Sequence, residues 1–169
     1  MNKLYAYALG LCLTSAMVGC KKEDSDQAKP NAPTLTAKET LLTDKNWRIT
    51  ALTGTTTFED NTITFDGYTV LKDCHKDDFI RLNGDKTALR DEGATKCASN
   101  DPQKVNGTWA LNNAETEITF SGSLNGTPRE EKAQLLQLTA TTMQVKTTTT
   151  QNQSGFTIVS TATTTYTAF

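Results

Sequence analysis

From Asn46 onward the chain is a succession of short alternating segments, each cut off by tight-turn chemistry, and this pattern constrains the fold most. "DFIRL" and "TALRD" flank Asn83-Gly84-Asp85-Lys86, a hairpin signal because Asn and Gly tolerate positive φ. "GTWAL" and "TEITF" flank Asn112-Asn113-Ala114-Glu115, and Asn125-Gly126 separates "TEITFSG" from "AQLLQL". "MQVKTTTT" turns at residues 151–155 into "FTIVSTATTTYTAF", where Phe156, Ile158, Ser160, Ala162, Thr164 and Tyr166 fall on one side. "KNWRITALTG" reads as the first strand, with Trp47, Ile49 and Ala51 on one face, and "TITF" at 62–65 is a weaker candidate. Threonine supplies roughly a fifth of the chain and suits pleated, half-buried surfaces.

Short connections predict that sequential strands pair antiparallel. A meander of about eight strands keeps two unpaired edges unless it closes, and closure gives an up-and-down barrel. The expected fold is therefore all-β, an antiparallel meander of about eight strands forming a barrel. An open sheet packed on a helix and a two-sheet sandwich are the competing architectures. One short helix is expected before the first strand, because Thr36-Ala37-Lys38-Glu39 fits a capping box and Leu41 and Leu42 follow it.

The N-terminus sets the compartment. "MNKLYAYALGLCLTSAMVGC" has one lysine, an apolar run from Leu4 to Val18 and small residues before Cys20, the order of an export signal. The run is about 15 residues, short of the roughly 20 that span a bilayer. Met17-Val18-Gly19-Cys20 resembles the lipobox of bacterial lipoproteins, which implies cleavage before Cys20 and acylation of that cysteine. Acyl chains contribute about 0.8 kcal/mol per buried methylene, so several make a durable anchor. The expected organisation is a signal peptide at 1–19, a flexible tether at 20–34 and a barrel domain at 35–169. The tether is charged, holds Pro30 and Pro33 and has almost no large apolar residue. Its opening Lys21-Lys22-Glu23-Asp24 is similar to the surface-export signals of some Gram-negative lipoproteins. The expected address is the bacterial outer membrane.

Loss of residues 1–19 removes Lys3 and takes the formal charge from −2 to −3. Such a balance does not steer the protein toward nucleic acid. A single monomeric domain with one core is expected.

The stretch "DCHKDDFIRLNGDKTALRDEGATKC" at 73–97 holds the one histidine and two of the four cysteines. Cys12 leaves with the signal and Cys20 is acylated, so Cys74 and Cys97 are the remaining thiols in an oxidising compartment, where such a pair bridges. They lie just outside the 77–91 hairpin, whose open mouth brings them together. A metal site on Cys74, His75 and Cys97 is the sharper alternative, but adjacent strand residues point to opposite faces and zinc-finger spacing is missing. Calcium on Asp73, Asp77, Asp78, Asp91 and Glu92 lacks the ligand spacing of an EF-hand loop. His75 has no serine nucleophile in a recognisable frame, and no phosphate-cradling glycine loop or Cys-x-x-Cys occurs, so neither enzyme nor cofactor is expected.

"LLTDKNWRITALT", the 73–97 block, "DPQKVNGTWALNNAETEITF" and "ATTMQVKTTT" together resemble the bacterial lipocalin-like domain lipoproteins over about residues 41–169. The resemblance rests on Leu42 through Trp47, Cys74, Asp77, Asp78, Glu92, Gly93, Cys97, Gly107, Thr108 and Trp109, with an atypical insert at 54–72. It implies a barrel, a lipid-anchored setting and a cavity for an apolar small molecule, and it brings no catalytic set. Inward candidates for that cavity are Trp47, Ile49, Phe79, Leu89, Trp109, Leu136, Leu138, Met143, Val145, Phe156 and Ile158. The chain is thus expected to be a lipid-anchored envelope protein that binds a small apolar molecule. The alternative is an envelope interaction module that contacts a protein or glycan through its outer face.

Overall fold

The computed structural model describes residues 34–169 apart from Asn125 and Ser154. Residues 1–33, where the signal peptide, Cys20 and nearly all of the tether are expected, and parts of two turns lie outside the described residues.

Helix α1 (Ala37–Leu42) opens the domain. Its capping box is complete: the Thr36 hydroxyl accepts from the Glu39 amide, and the Glu39 carboxylate accepts from the Thr36 amide. Nine strands follow among the described residues: β1 (Asn46–Phe58), β2 (Asn61–Asp66), β3 (Phe79–Leu82), β4 (Thr87–Asp91), β5 (Lys104–Leu111), β6 (Glu117–Leu124), β7 (Thr127–Leu138), β8 (Thr142–Gln153) and β9 (Phe156–Ala168). Two one-turn helices, α2 (Gly67–Val70) and α3 (Asp73–Lys76), join β2 to β3.

From β3 to β9 each strand pairs antiparallel with the next. Strand β1 closes the ring. It pairs with β3 through Asn46–Arg48, and with β9 from Trp47↔Ala168 to Phe58↔Ile158. Eight strands therefore form a closed antiparallel barrel, the architecture expected from the meander. The ninth, β2, folds back on the far half of β1, from Thr53↔Asp66 to Phe58↔Asn61. It stands outside the closed ring.

Two bulges shift the phase of the wall. In β1 the register slips between Ile49 and Ala51, so Leu52 and buried Gly54 face inward and Ala51 is exposed. The inward place expected for Ala51 is thereby corrected. The threonine content finds its use on the neighbouring outer face. Hydroxyls there pair across strands, Thr50 with Thr167 at 2.9 Å and Thr57 with Thr62 at 2.9 Å, and Thr55 also meets Thr161.

The packed core occupies the α1 end. Leu42, Trp47, Leu82, Ile118 and Met143 are fully buried, with Trp109, Ala133 and Val145 around them. Trp47 Nε1–H donates to the Leu42 carbonyl at 2.9 Å, which satisfies a helix-end acceptor that would otherwise be buried alone. Lys38 Nζ donates to the Glu115 carbonyl at 2.7 Å, and Lys86 pairs with Glu39 while lying 4.2 Å from the Trp109 ring centroid. The helix is thus a plug fixed to two hairpin turns.

Candidate functional site: the barrel cavity

Beyond this core the barrel is hollow. A cavity of about 380 Å³ is bounded by Ile49, Ile80, Ala88, Val105, Phe120, Val145 and Tyr166, with Asp78, Arg90, Arg129 and Glu131 among the polar residues facing it. That volume lies in the range of small-molecule sites, about 300–1,000 Å³.

Register explains which side chains point inside. Trp47 is buried and opposes Ile80, so Ile80 and Leu82 face inward with their β4 partners Arg90 and Ala88. Phe79 and Leu89, both expected inside, border the cavity but lie on the other face of their strands. There the Phe79 ring meets Phe169 edge-on at 5.8 Å. Ile49 and Val145 line the cavity. Trp47, Trp109 and Met143 belong to the packed core beneath it, and Leu138 packs against that core.

Leu136 is 45 % exposed, and a second bulge gives the reason. The register slips between Leu135 and Gln137, so Leu135 opposes Val145 and Leu138 opposes Met143 while Leu136 turns out. Phe156 keeps its inward phase but lies beyond the closed part of the barrel. It is 46 % exposed and its ring meets Phe58 at 5.3 Å, tilted by 44°, and half-buried Ile158 opposes Phe58.

The cysteine block flanks the cavity. Cys74 and Cys97 are disulfide-bonded and tie α3 to the loop after β4. Asp77 Oδ2 accepts from the amides of Ala94 and Thr95 at 2.9 and 2.8 Å. Gly93 has φ +67°, and a Cβ on it would stand 2.4 Å from the Asp77 carbonyl oxygen, so only glycine fits there without a shift. Asp91 Oδ1 accepts from the Gly93 amide and from Gln103 Nε2. Held by this lattice, buried Asp78 accepts from Arg90 Nη2 at 3.2 Å and contacts His75 Nδ1 at 3.3 Å.

Cys74, His75 and Cys97 are the one cluster among the described residues whose metal-ligating atoms come within reach of one another. Both sulfurs, however, are committed to the bridge. Cys97 Sγ lies 3.3 Å from each ring nitrogen of His75, hence over the ring face and out of line for a thiol–imidazole proton transfer. The carboxylates considered for calcium each have another partner: Asp73 has Lys76, Asp77 two amides, Asp78 Arg90, Glu92 Arg90 at 3.9 Å, and Asp91 Gln103 and Lys104. Asp77, Asp78 and Glu92 nevertheless each keep one buried oxygen without a partner among the described residues.

Sequence reasoning singled out Asp78 and placed Tyr166 with the inward candidates Phe156 and Ile158, but missed Arg90, Arg129 and Glu131. Strand β7 opposes β6 through Phe120↔Glu131 and Gly122↔Arg129, so Arg129 and Glu131 share the inner face with buried Ala133. Tyr166, opposite Ile49 and Met143, also packs on the core. Burial, aided by Glu131 and opposed by Arg90, pushes its hydroxyl up to about 12, so it stays a neutral donor at physiological pH. The alternation about Phe120 was the signal that could have found the β7 pair.

The lipocalin-like domain family matches residues 42–145. The chain belongs to that family, whose barrel architecture it displays. Neither the curated proteins nor the solved structures compared with it give a significant match.

Proposed function

We propose that the protein is a lipid-anchored envelope component whose barrel binds a small molecule with an apolar body. The observation that carries this reading is the cavity of about 380 Å³, walled by Ile49, Ile80, Val105, Phe120 and Val145 and closed below by the α1 plug. A closed eight-stranded barrel has room for one small ligand or for packed side chains, and here the half beyond the core is left hollow. Envelope attachment rests on the lipobox-like run before Cys20 and on the Cys74–Cys97 bridge, which suits an oxidising compartment.

Two measurements test the reading. Metabolic labelling with a clickable fatty acid should mark the parent and leave Cys20→Ser unmarked. Equal labelling of the two would refute the anchor. The Cys20→Ser form, purified without detergent, should take up a polarity-sensitive dye, release it to an added amphiphile, and carry bound small molecules in native mass spectrometry. A dry spectrum together with no dye binding would refute the cavity's role.

A second reading, an interaction module, is favoured by β2. It ends the sheet order, all six of its residues are exposed, and no Lys or Pro guards its outer edge. An extended segment of a protein partner could add there as a further strand. In-cell crosslinking from a photoreactive residue at Thr62 should then recover one reproducible partner, and an Ile63→Pro substitution should abolish it.

A further inference from the structure

The charges facing the cavity form an unusual set. On the outer face of β7, Glu130 and Lys132 lie 3.4 Å apart and satisfy each other. On its inner face, Arg129 and Glu131 make no ion pair within 4.0 Å with any described residue. They are alternate residues on one strand face, the same spacing at which Glu130 and Lys132 meet, yet they form no such pair. Arg90 is already occupied by Asp78, with Glu92 at 3.9 Å. The Tyr166 hydroxyl meets no hydrogen-bond partner among the described residues. Arg129, Glu131 and the Tyr166 hydroxyl thus stand without side-chain partners among the described residues, above an apolar floor.

The formal balance matters as much as the positions. Arg90 and Arg129 face Asp78 and Glu131, so the cavity wall carries no net charge. An anionic head group drawn to Arg129 is repelled by Glu131, and a cationic one meets the reverse. A head group carrying both charges gains from both residues.

We infer that the cavity selects a zwitterionic amphiphile, its anionic group on Arg129, its cationic group on Glu131 and its apolar chain against Phe120, Val145 and Ile80. This inference rests on the small-molecule reading above and adds the ligand's chemical class to it. The Tyr166 hydroxyl donates to the head group's acceptor or its linker. Arg129 and Glu131 are both solvent-exposed, so each attraction is partly screened and the preference for the paired head group is modest.

The test is a matched series on the Cys20→Ser chain: decyl dimethylglycine (a betaine), decanoate, decyltrimethylammonium and decanol, each titrated below its micelle concentration by calorimetry. The betaine should bind about five- to tenfold more tightly than either singly charged amphiphile, because its head group adds one charge-assisted attraction and removes one repulsion. Glu131→Gln should shift preference toward decanoate, and Arg129→Gln toward decyltrimethylammonium, by similar factors. Neither residue has an ion-pair partner among the described residues, so both variants should keep the parent's circular dichroism and urea midpoint. If decanoate binds the parent as tightly as the betaine, or the two variants leave the order unchanged, the head-group inference is wrong although the cavity binds. If none of the four binds, the small-molecule reading itself falls and takes this inference with it.

Discussion

Removing the Cys74–Cys97 bridge should destabilise the domain chiefly by releasing its unfolded chain. The two cysteines lie 23 residues apart in sequence. Opening a loop of that length returns closure entropy worth roughly 3 kcal/mol to the denatured state. The folded geometry should change little in the double variant Cys74→Ala/Cys97→Ala. Asp77 still accepts from Ala94 and Thr95, and Gly93 still abuts the Asp77 carbonyl, so the loop after β4 remains docked. Trp47 and Trp109, the two tryptophans, are both buried and make intrinsic fluorescence a direct probe of unfolding. For a urea slope of about 2 kcal/mol per molar, a loss of about 3 kcal/mol lowers the midpoint by roughly 1.5 M. The slope itself should rise slightly, because the uncrosslinked chain exposes more surface when unfolded. A midpoint shift under about 0.5 M at unchanged slope would refute the entropic account. A large shift accompanied by loss of native circular dichroism in zero urea would show that the bridge, and not the Asp77 contacts, holds the loop.

Other expectations follow from single contacts. Tyr166 should ionise near pH 10 in the unfolded chain and near 12 in the folded one, so its contribution is constant below pH 10 and is lost as pH rises toward 12, by roughly 2–3 kcal/mol. Alkaline denaturation of Tyr166→Phe beside the parent isolates that slope, and identical curves would refute it. Leu42→Ala should cost about 2–5 kcal/mol, because the side chain is fully buried beneath the barrel and leaves a cavity under Trp47; thermal and urea unfolding measure it. Gly107→Ala should lower stability by about 1–3 kcal/mol, because its Cβ would stand 2.4 Å from the Ser121 carbonyl oxygen and force β5 from β6. Gly122→Ala, whose Cβ would meet nothing closer than 3.5 Å, is the mild control.

The barrel was legible because period-2 alternation and turn residues are local signals, and edge avoidance converts a meander into a ring without long-range information. The helix was legible for a similar reason, since a capping box is confined to four residues. Phase was lost wherever a bulge entered. Nothing in "RITALTG" or "AQLLQL" marks the extra residue, so alternation counted from Trp47 or Leu138 assigned Ala51 and Leu136 to the wrong face. Phe79 and Leu89 failed differently. An apolar residue on the outer face of a short strand looks the same in sequence as one inside, and only the pairing of Trp47 with Ile80 separates them.

The cavity's polar wall was not legible, because charged residues on a strand read as outward-facing unless the pairing is known. In "TPREEKAQ" four charged residues run together, and composition offers no reason to send two of them inward. Pairing decides it. Ile118 is fully buried and opposes buried Ala133, and stepping two residues along each strand places Glu131 opposite Phe120 and Arg129 opposite Gly122. The family-like block at 73–97 then acquires a role beyond stapling. The disulfide, the Asp77–amide bonds and Gly93 together fix the segment from which Asp78 reaches Arg90. By engaging Arg90, Asp78 leaves Arg129 as the cation of the cavity without a fixed partner among the described residues. The α1 helix covers the core at one end, and the cysteine block beside the cavity carries the Asp78 that pairs with Arg90. On the proposed reading, stability and head-group selectivity rest on separate parts of one barrel, and substitutions in the plug and on β7 should affect them independently.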